Sequence, residues 1–173
     1  MKDIVRYGLT LSIICVVASG LLAGVNKLTK AKIVAQAQLE EELSLKEVLP
    51  KAARFELVKS AEEIIYYKAF DTSGNLLGAA FKAVGKGYSS NIETMVGMLK
   101  DGTVNAIKVL SQNETPGLGT NIAEKDFTGR FVDKNIKDLG NVQAITGATI
   151  SSRAVISSVN KKSQEIQELI KND

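Results

Sequence analysis

Hydrophobic and polar positions change character twice along this chain. Positions 7–26 are twenty consecutive residues without a charge, dense in Leu, Ile, Val, Ala and Gly. As a helix they span about 30 Å, the depth of a bilayer's hydrocarbon core. A core helix of that length ordinarily shows a polar face, and only Thr10, Ser12, Ser19 and small residues are available for one here. The pattern therefore predicts a membrane span, with a buried core helix and a cleaved signal peptide as competing readings. Lys2 and Arg6 precede the apolar run, but Ala18-Ser19-Gly20 is a poor small-residue cleavage pattern. Lys27, Lys30 and Lys32 on the far side answer Lys2 and Arg6, so charge alone leaves the orientation open. Cys15 lacks a Leu-led lipoprotein box and reads as a buried small apolar residue.

From 27 to 49 there is no Gly or Pro, and Leu28, Ile33, Ala35, Leu39, Leu43 and Val48 recur at loosely helical spacing. This stretch predicts a juxtamembrane helical stalk in which Glu40, Glu41 and Glu42 form a solvated face. Pro50 opens a domain over 50–173 in which the period becomes that of strands. Runs at 64–71 and 76–84 flank Thr72-Ser73-Gly74-Asn75, and runs at 92–100 and 103–110 meet across Asp101-Gly102. These predict two antiparallel hairpins, the second with both turn residues at positive φ. A last helix is expected over about 152–170, burying Val155, Val159, Ile166 and Leu169 or Ile170. The fold class is α+β: a single N-terminal transmembrane helix, residues 7–26, then a domain of antiparallel strands with a C-terminal helix.

Composition narrows the chemistry open to that domain. The 173 residues include no His and one Cys. That excludes an intrachain disulfide, a Cys/His zinc site, a Cys-bound iron–sulfur cluster and a His-dependent triad. No metal site is expected. The net charge of +3 is spread among interleaved acids, aromatics are 5% and Trp is absent, so no nucleic-acid partner is expected.

Eleven of the fourteen Gly fall between 74 and 147, where backbone must turn tightly or approach something closely. Two polar segments there carry candidate chemistry. Asn113-Glu114-Thr115-Pro116-Gly117-Leu118-Gly119-Thr120 presents one apolar side chain between two Gly. It could lay amides and a Leu against a flat ligand, or be an ordinary Pro-Gly connection. Thr146-Gly147-Ala148-Thr149-Ile150-Ser151-Ser152 gathers hydroxyls at a helix start. It could hold a phosphate against the unpaired N–H groups, or simply cap the helix. Neither has the Gly spacing or the Lys of a nucleotide-hydrolysing phosphate loop, nor the spaced Gly of a dinucleotide fold.

In combination, Glu114-Thr115-Pro116-Gly117-Leu118-Gly119, Thr146-Gly147-Ala148-Thr149 leading into Arg153-Ala154-Val155, the Gly87-Tyr88-Ser89 stretch and the single N-terminal apolar helix resemble RnfG, the FMN-binding component of the Rnf complex. The chain departs from the family's pattern at Gln143, Asn113 and Ser90, where Asp, His and Gly are common.

The resemblance implies FMN held covalently, as a phosphoester to the Thr149 hydroxyl, attached by a separate flavin transferase that uses FAD. It implies cofactor contacts from Glu114, Thr115, Gly117, Leu118 and Gly119 near the ring, and from Thr146, Gly147, Ala148 and Ser151 around the phosphate. The implied role is an electron-carrier subunit in a membrane complex that couples electron transfer between ferredoxin and NAD to Na⁺ or H⁺ translocation. No independent catalysis and no catalytic residue are expected of this chain alone. Its implied partners are the multi-span membrane subunits of that complex, one with a second covalent FMN, and membrane lipid. Residues 1–6 would be cytoplasmic and 27 onward extracytoplasmic, in a bacterial inner membrane. NqrC, the related component of a sodium-pumping NADH:quinone oxidoreductase, and a membrane-anchored binding or assembly module without a redox centre, are the alternative readings.

Overall fold

The computed structural model describes residues 2–60 and 63–171; Met1, Asn172 and Asp173 of the expected terminal segments lie outside the described residues. The chain divides into two compact units, Met1–Glu40 and Glu41–Asp173.

The first unit is the body of one helix, α1 (Lys2–Val48), unbroken because nothing before Pro50 interrupts its hydrogen-bond ladder. Its apolar side chains, among them Leu11, Val16 and Leu22, point outward. The hydroxyls of Thr10 and Ser12 fold back onto the carbonyls of Arg6 and Gly8, each at 2.9 Å, which satisfies them without water. Among the described residues this is the one helix long and apolar enough to cross a membrane. Cys15 is exposed on its surface rather than buried in a protein core.

The second unit is built on five antiparallel strands in sequential order: β1 (Arg54–Ser60), β2 (Glu63–Phe70), β3 (Leu76–Lys86), β4 (Asn91–Leu99) and β5 (Val104–Ser111). The two expected hairpins are β2–β3 and β4–β5, and β1 adds an unanticipated edge strand. In the β2–β3 turn the Asp71 carboxylate accepts the amides of Ser73 and Asn75, both at 2.8 Å, while Gly74 takes φ +84°. In the β4–β5 turn only Gly102 is at positive φ (+85°), which corrects the expectation for Asp101. The Gly102 amide bonds back to the Leu99 carbonyl, and a register shift at Gly97/Met98 absorbs the extra loop residue.

Both faces of the sheet are covered. One carries the main core, in which Phe81, Val96, Met98 and Val104 meet Phe127, Phe131, Leu139, Val155, Val159 and Ile166. Phe127 and Phe131 stand edge to face with centroids 5.4 Å apart. Those aromatics come from the connection after β5, which runs through short turns and α2 (Lys125–Thr128) before reaching α3 (Thr149–Lys171). α3 buries Val155, Ile156, Val159, Ser163, Ile166, Gln167 and Ile170, so Ile170 rather than Leu169 completes the apolar stripe.

The opposite face packs against the last turns of α1, where Leu45, Val48 and Leu49 meet Ala69, Ala80 and Met95. Gly97 lets this contact form, because an added Cβ there would sit 2.4 Å from the Val48 carbonyl oxygen, which accepts the Asn105 side-chain amide at 2.6 Å. Glu41, expected on a solvated face, instead accepts the Tyr67 hydroxyl at 2.7 Å and pairs with Lys82 at 2.8 Å. Glu47 pairs with Lys108.

Candidate functional site

Three segments distant in sequence converge at one end of the sheet, and a single buried carboxylate joins them. Glu114 is 5% exposed and follows β5. Its oxygens accept the backbone amides of Tyr88, Ser89 and Ser90 in the β3–β4 connection, each at 3.0 Å, and the hydroxyl of Ser151 in the first turn of α3. Burial alone would raise the Glu114 carboxyl; the Ser151 hydroxyl and the three amides outweigh it and hold the group below the ordinary carboxylate value. The charged form is therefore the one that closes the site. Gly87 and Gly119 make room for it, since a Cβ on either would lie within 2.5 Å and 2.7 Å of Glu114 atoms.

The 114–119 loop is held by its own backbone. The amides of Leu118 and Thr120 both return to the Thr115 carbonyl, and the Gly117 amide donates to the Thr120 hydroxyl at 3.0 Å. Gly117 sits at φ +74°, the conformation that lifts exposed Leu118 out of the loop.

The 145–149 segment is pinned at both ends. Upstream, the Arg130 guanidinium donates to the Gln143 carbonyl at 2.7 Å. Downstream, the fully buried Ser152 hydroxyl accepts the Ile145 amide at 3.1 Å, the Ala148 amide donates to the Ile145 carbonyl, and Gly147 takes φ +83°. The helix then starts at Thr149, three residues before the expected 152. Its first helical bond runs from the Ser152 amide to the Ala148 carbonyl at 2.9 Å. The amides of Thr149, Ile150 and Ser151 precede that bond and lie at the positive end of the helix dipole.

Between these segments lies an open cavity of about 510 Å³, within the range of small-molecule and cofactor pockets. Thr115, Leu118 and Gly119 line it from one loop; Gly147, Ala148, Thr149 and Ser151 line it from the other. Of the ten residues anticipated from the sequence, these seven are brought together. Glu114 lies behind the wall rather than in the lining, and Gly117 and Thr146 are exposed beside it. Tyr88 and Ile150 also line the cavity and were missed as site residues; the Gly87-Tyr88-Ser89 stretch was the available signal for the first. None of the lining side chains is charged. Thr149 is exposed, and its hydroxyl has no hydrogen-bond partner among the described residues. Two of the departures from the family pattern touch: the Asn113 amide donates to the Ser90 hydroxyl at 2.8 Å.

The residues present fit a flavin mononucleotide: a free hydroxyl and unpaired helix-start amides suit a phosphate, and Leu118, Tyr88 and Ile150 offer apolar surface to a flat ring. Comparison with known proteins agrees. The model of the FMN-binding domain matches residues 87–164, and that of the RnfG N-terminal region matches residues 1–48. The chain is similar to the RnfG-type component of the ion-translocating oxidoreductase complex of Methanosarcina acetivorans, 36% identical over 92% of each chain. It is similar also to the corresponding component of the Na(+)-translocating ferredoxin:NAD(+) oxidoreductase complex of Acetobacterium woodii, 32% identical over 98% of this chain and 95% of that one. In fold it matches the crystal structure of Shewanella oneidensis NqrC, with TM-score 0.54 at 22% identity, over 73% of this chain and 74% of that one. The FMN-binding core, the N-terminal helix and the near full-length identity together place this chain in the RnfG family of ion-translocating oxidoreductase components.

Proposed function

We propose that this chain carries FMN as a phosphoester on the Thr149 hydroxyl and relays electrons for a membrane complex that couples ferredoxin:NAD oxidoreduction to Na⁺ or H⁺ movement. The observation that carries the reading is the exposed, unpartnered Thr149 hydroxyl at the first residue of α3, inside an uncharged cavity of cofactor size. When bound, FMN supplies a centre that accepts and releases electrons.

The chain's own residues then have distinct tasks. Thr149 provides the attachment oxygen, and its exposure leaves it open to a flavin transferase using FAD. The amides of 149–151 and the helix dipole offset the negative charge of the phosphodiester. Leu118 and Tyr88 shield the ring from water, and Thr115 offers a hydroxyl at the rim. Glu114 and Ser151 fix the spacing between the walls and so position these groups.

The topology that suits this role places residues 1–6 in the cytoplasm and the domain outside it, beside the multi-span subunits. Residues 7–26 carry no charged group, so the ion path belongs to those partners. Co-expression with a flavin transferase tests the reading. The denatured chain should fluoresce in a gel under ultraviolet light, peptide mapping should place an added FMN within 146–153, and Thr149→Val should abolish both signals. A dark wild-type band would overturn the covalent reading.

A further inference from the structure

Beside the flavin cavity, and sharing Ile150 with it, lies a second depression of about 520 Å³. It is lined by Val84, Gly85 and Lys86 of β3 and by Arg153, Ser157 and Lys161 of α3. Successive strand residues send their side chains to opposite faces, so a depression that touches three in a row runs along the strand's edge. One edge of this stretch is taken by β4, through Val84 with Glu93, Gly85 with Ile92 and Lys86 with Asn91. The other is open among the described residues, because β2 pairs with β3 only from Leu76 to Ala80. An open edge presents main-chain N–H and C=O groups without ladder partners, a template for another extended chain.

The surroundings select what that chain would be. Lys86, Arg153 and Lys161 are exposed, none has an ion pair among the described residues, and no acid lines the depression. Val84 and Ile150 are each 56% exposed and supply apolar contacts between the cations.

We propose that this groove receives an extended acidic segment of a partner protein, added along residues 82–86 of β3 with its carboxylates against Lys86, Arg153 and Lys161. The proposal rests on the reading of this chain as an electron-carrying subunit, since the groove opens beside the flavin cavity and docking there brings a redox partner to its edge. The cations set the sign and register of the partner, and the strand edge supplies the hydrogen bonds.

The test compares the flavinylated chain in the intact complex with the same chain alone in the same detergent. Hydrogen–deuterium exchange at 82–86 should slow about tenfold in the complex. Retention of the chain on a tagged neighbouring subunit through a KCl series gives the second readout. The triple variant Lys86→Glu, Arg153→Glu, Lys161→Glu should lower the KCl concentration of half-release about threefold, with flavin fluorescence and Tm unchanged. The neutral set Lys86→Gln, Arg153→Gln, Lys161→Gln should give a smaller shift in the same direction, and it replaces the reversed set if that does not fold. Equal exchange in the free and assembled chain, or release unaltered by both sets, overturns the proposal. So does binding of the free chain to phosphatidylglycerol vesicles that the triple variant loses while exchange in the complex stays at the free level, which would assign the groove to lipid. A wild-type band without flavin fluorescence defeats the flavin reading instead, and leaves both docking readouts standing.

Discussion

The Ser151 hydroxyl donates to Glu114 Oε2, tying the first turn of α3 to the loop that follows β5, while the same carboxylate gathers three amides of the β3–β4 connection. The cavity walls thus share one negatively charged hub. Glu114→Gln keeps the volume but sets an NH₂ group against an N–H or O–H donor. It should destabilise the domain by about 2–3 kcal/mol, read by urea unfolding of the flavinylated protein. A change below about 0.5 kcal/mol would show that the hub is dispensable.

The same group makes the domain acid-sensitive in a defined direction. The folded Glu114 carboxyl lies below its ordinary value of 4.5, so between the two values the unfolded chain binds the extra proton. Its contribution is complete above about pH 4.5 and is lost as pH falls through the folded value. Thermal scans at pH 6 and pH 3.5 should show a smaller acid drop in Glu114→Gln than in the wild type. The difference separates Glu114 from other carboxyls held low, such as Asp71 with the Asn75 amide.

Gly119 has no space for a side chain: an added Cβ would lie 2.7 Å from Glu114 Cβ and 2.9 Å from Ser151 Oγ. Gly119→Ala should cost about 1–3 kcal/mol and weaken the flavin band by misplacing Leu118 and Thr149. Gly129, at φ −63° with nothing within 4 Å of its added Cβ, is the control. Gly129→Ala should leave flavin loading unchanged and alter stability by no more than about 1 kcal/mol.

On the opposite face of the sheet, burial, the hydrogen bond to Glu41 and the negative charge of Glu41 all push the Tyr67 phenol above its ordinary value of 10.0. The unfolded phenol releases its proton first, so stability is full below about pH 10 and falls as pH rises beyond it. Tyr67→Phe should lose about 1 kcal/mol at pH 7 and show a shallower decline between pH 9 and pH 10.5 in equilibrium denaturation.

Long-range patterns carried much of this architecture. The uncharged run at 7–26, the turn residues at 72–75 and the stripe from Val155 to Ile170 each act through local periodicity, and each produced the element it predicted. β1 escaped because a register shift at Val58/Lys59 breaks its alternation and leaves Leu57 exposed. The start of α3 escaped because Thr149, Ser151 and Ser152 look like capping residues. The helix reaches back to Thr149 through tertiary bonds, from Ser152 to the Ile145 amide and from Ser151 to Glu114. Glu114 was legible as a site residue but not in its role, since its amide partners lie 24 to 26 positions away in the chain. Charge alone marked Glu41 as solvent-facing, because its partners Tyr67 and Lys82 lie on strands far along the chain.

The last turns of α1 also set where this protein can be cut. Leu45, Val48 and Leu49 cover Ala69, Ala80 and Met95, so a water-soluble fragment begun at Pro50 would bare an oily sheet surface and self-associate. A fragment begun ahead of Glu41 keeps that surface sealed and should stay monodisperse.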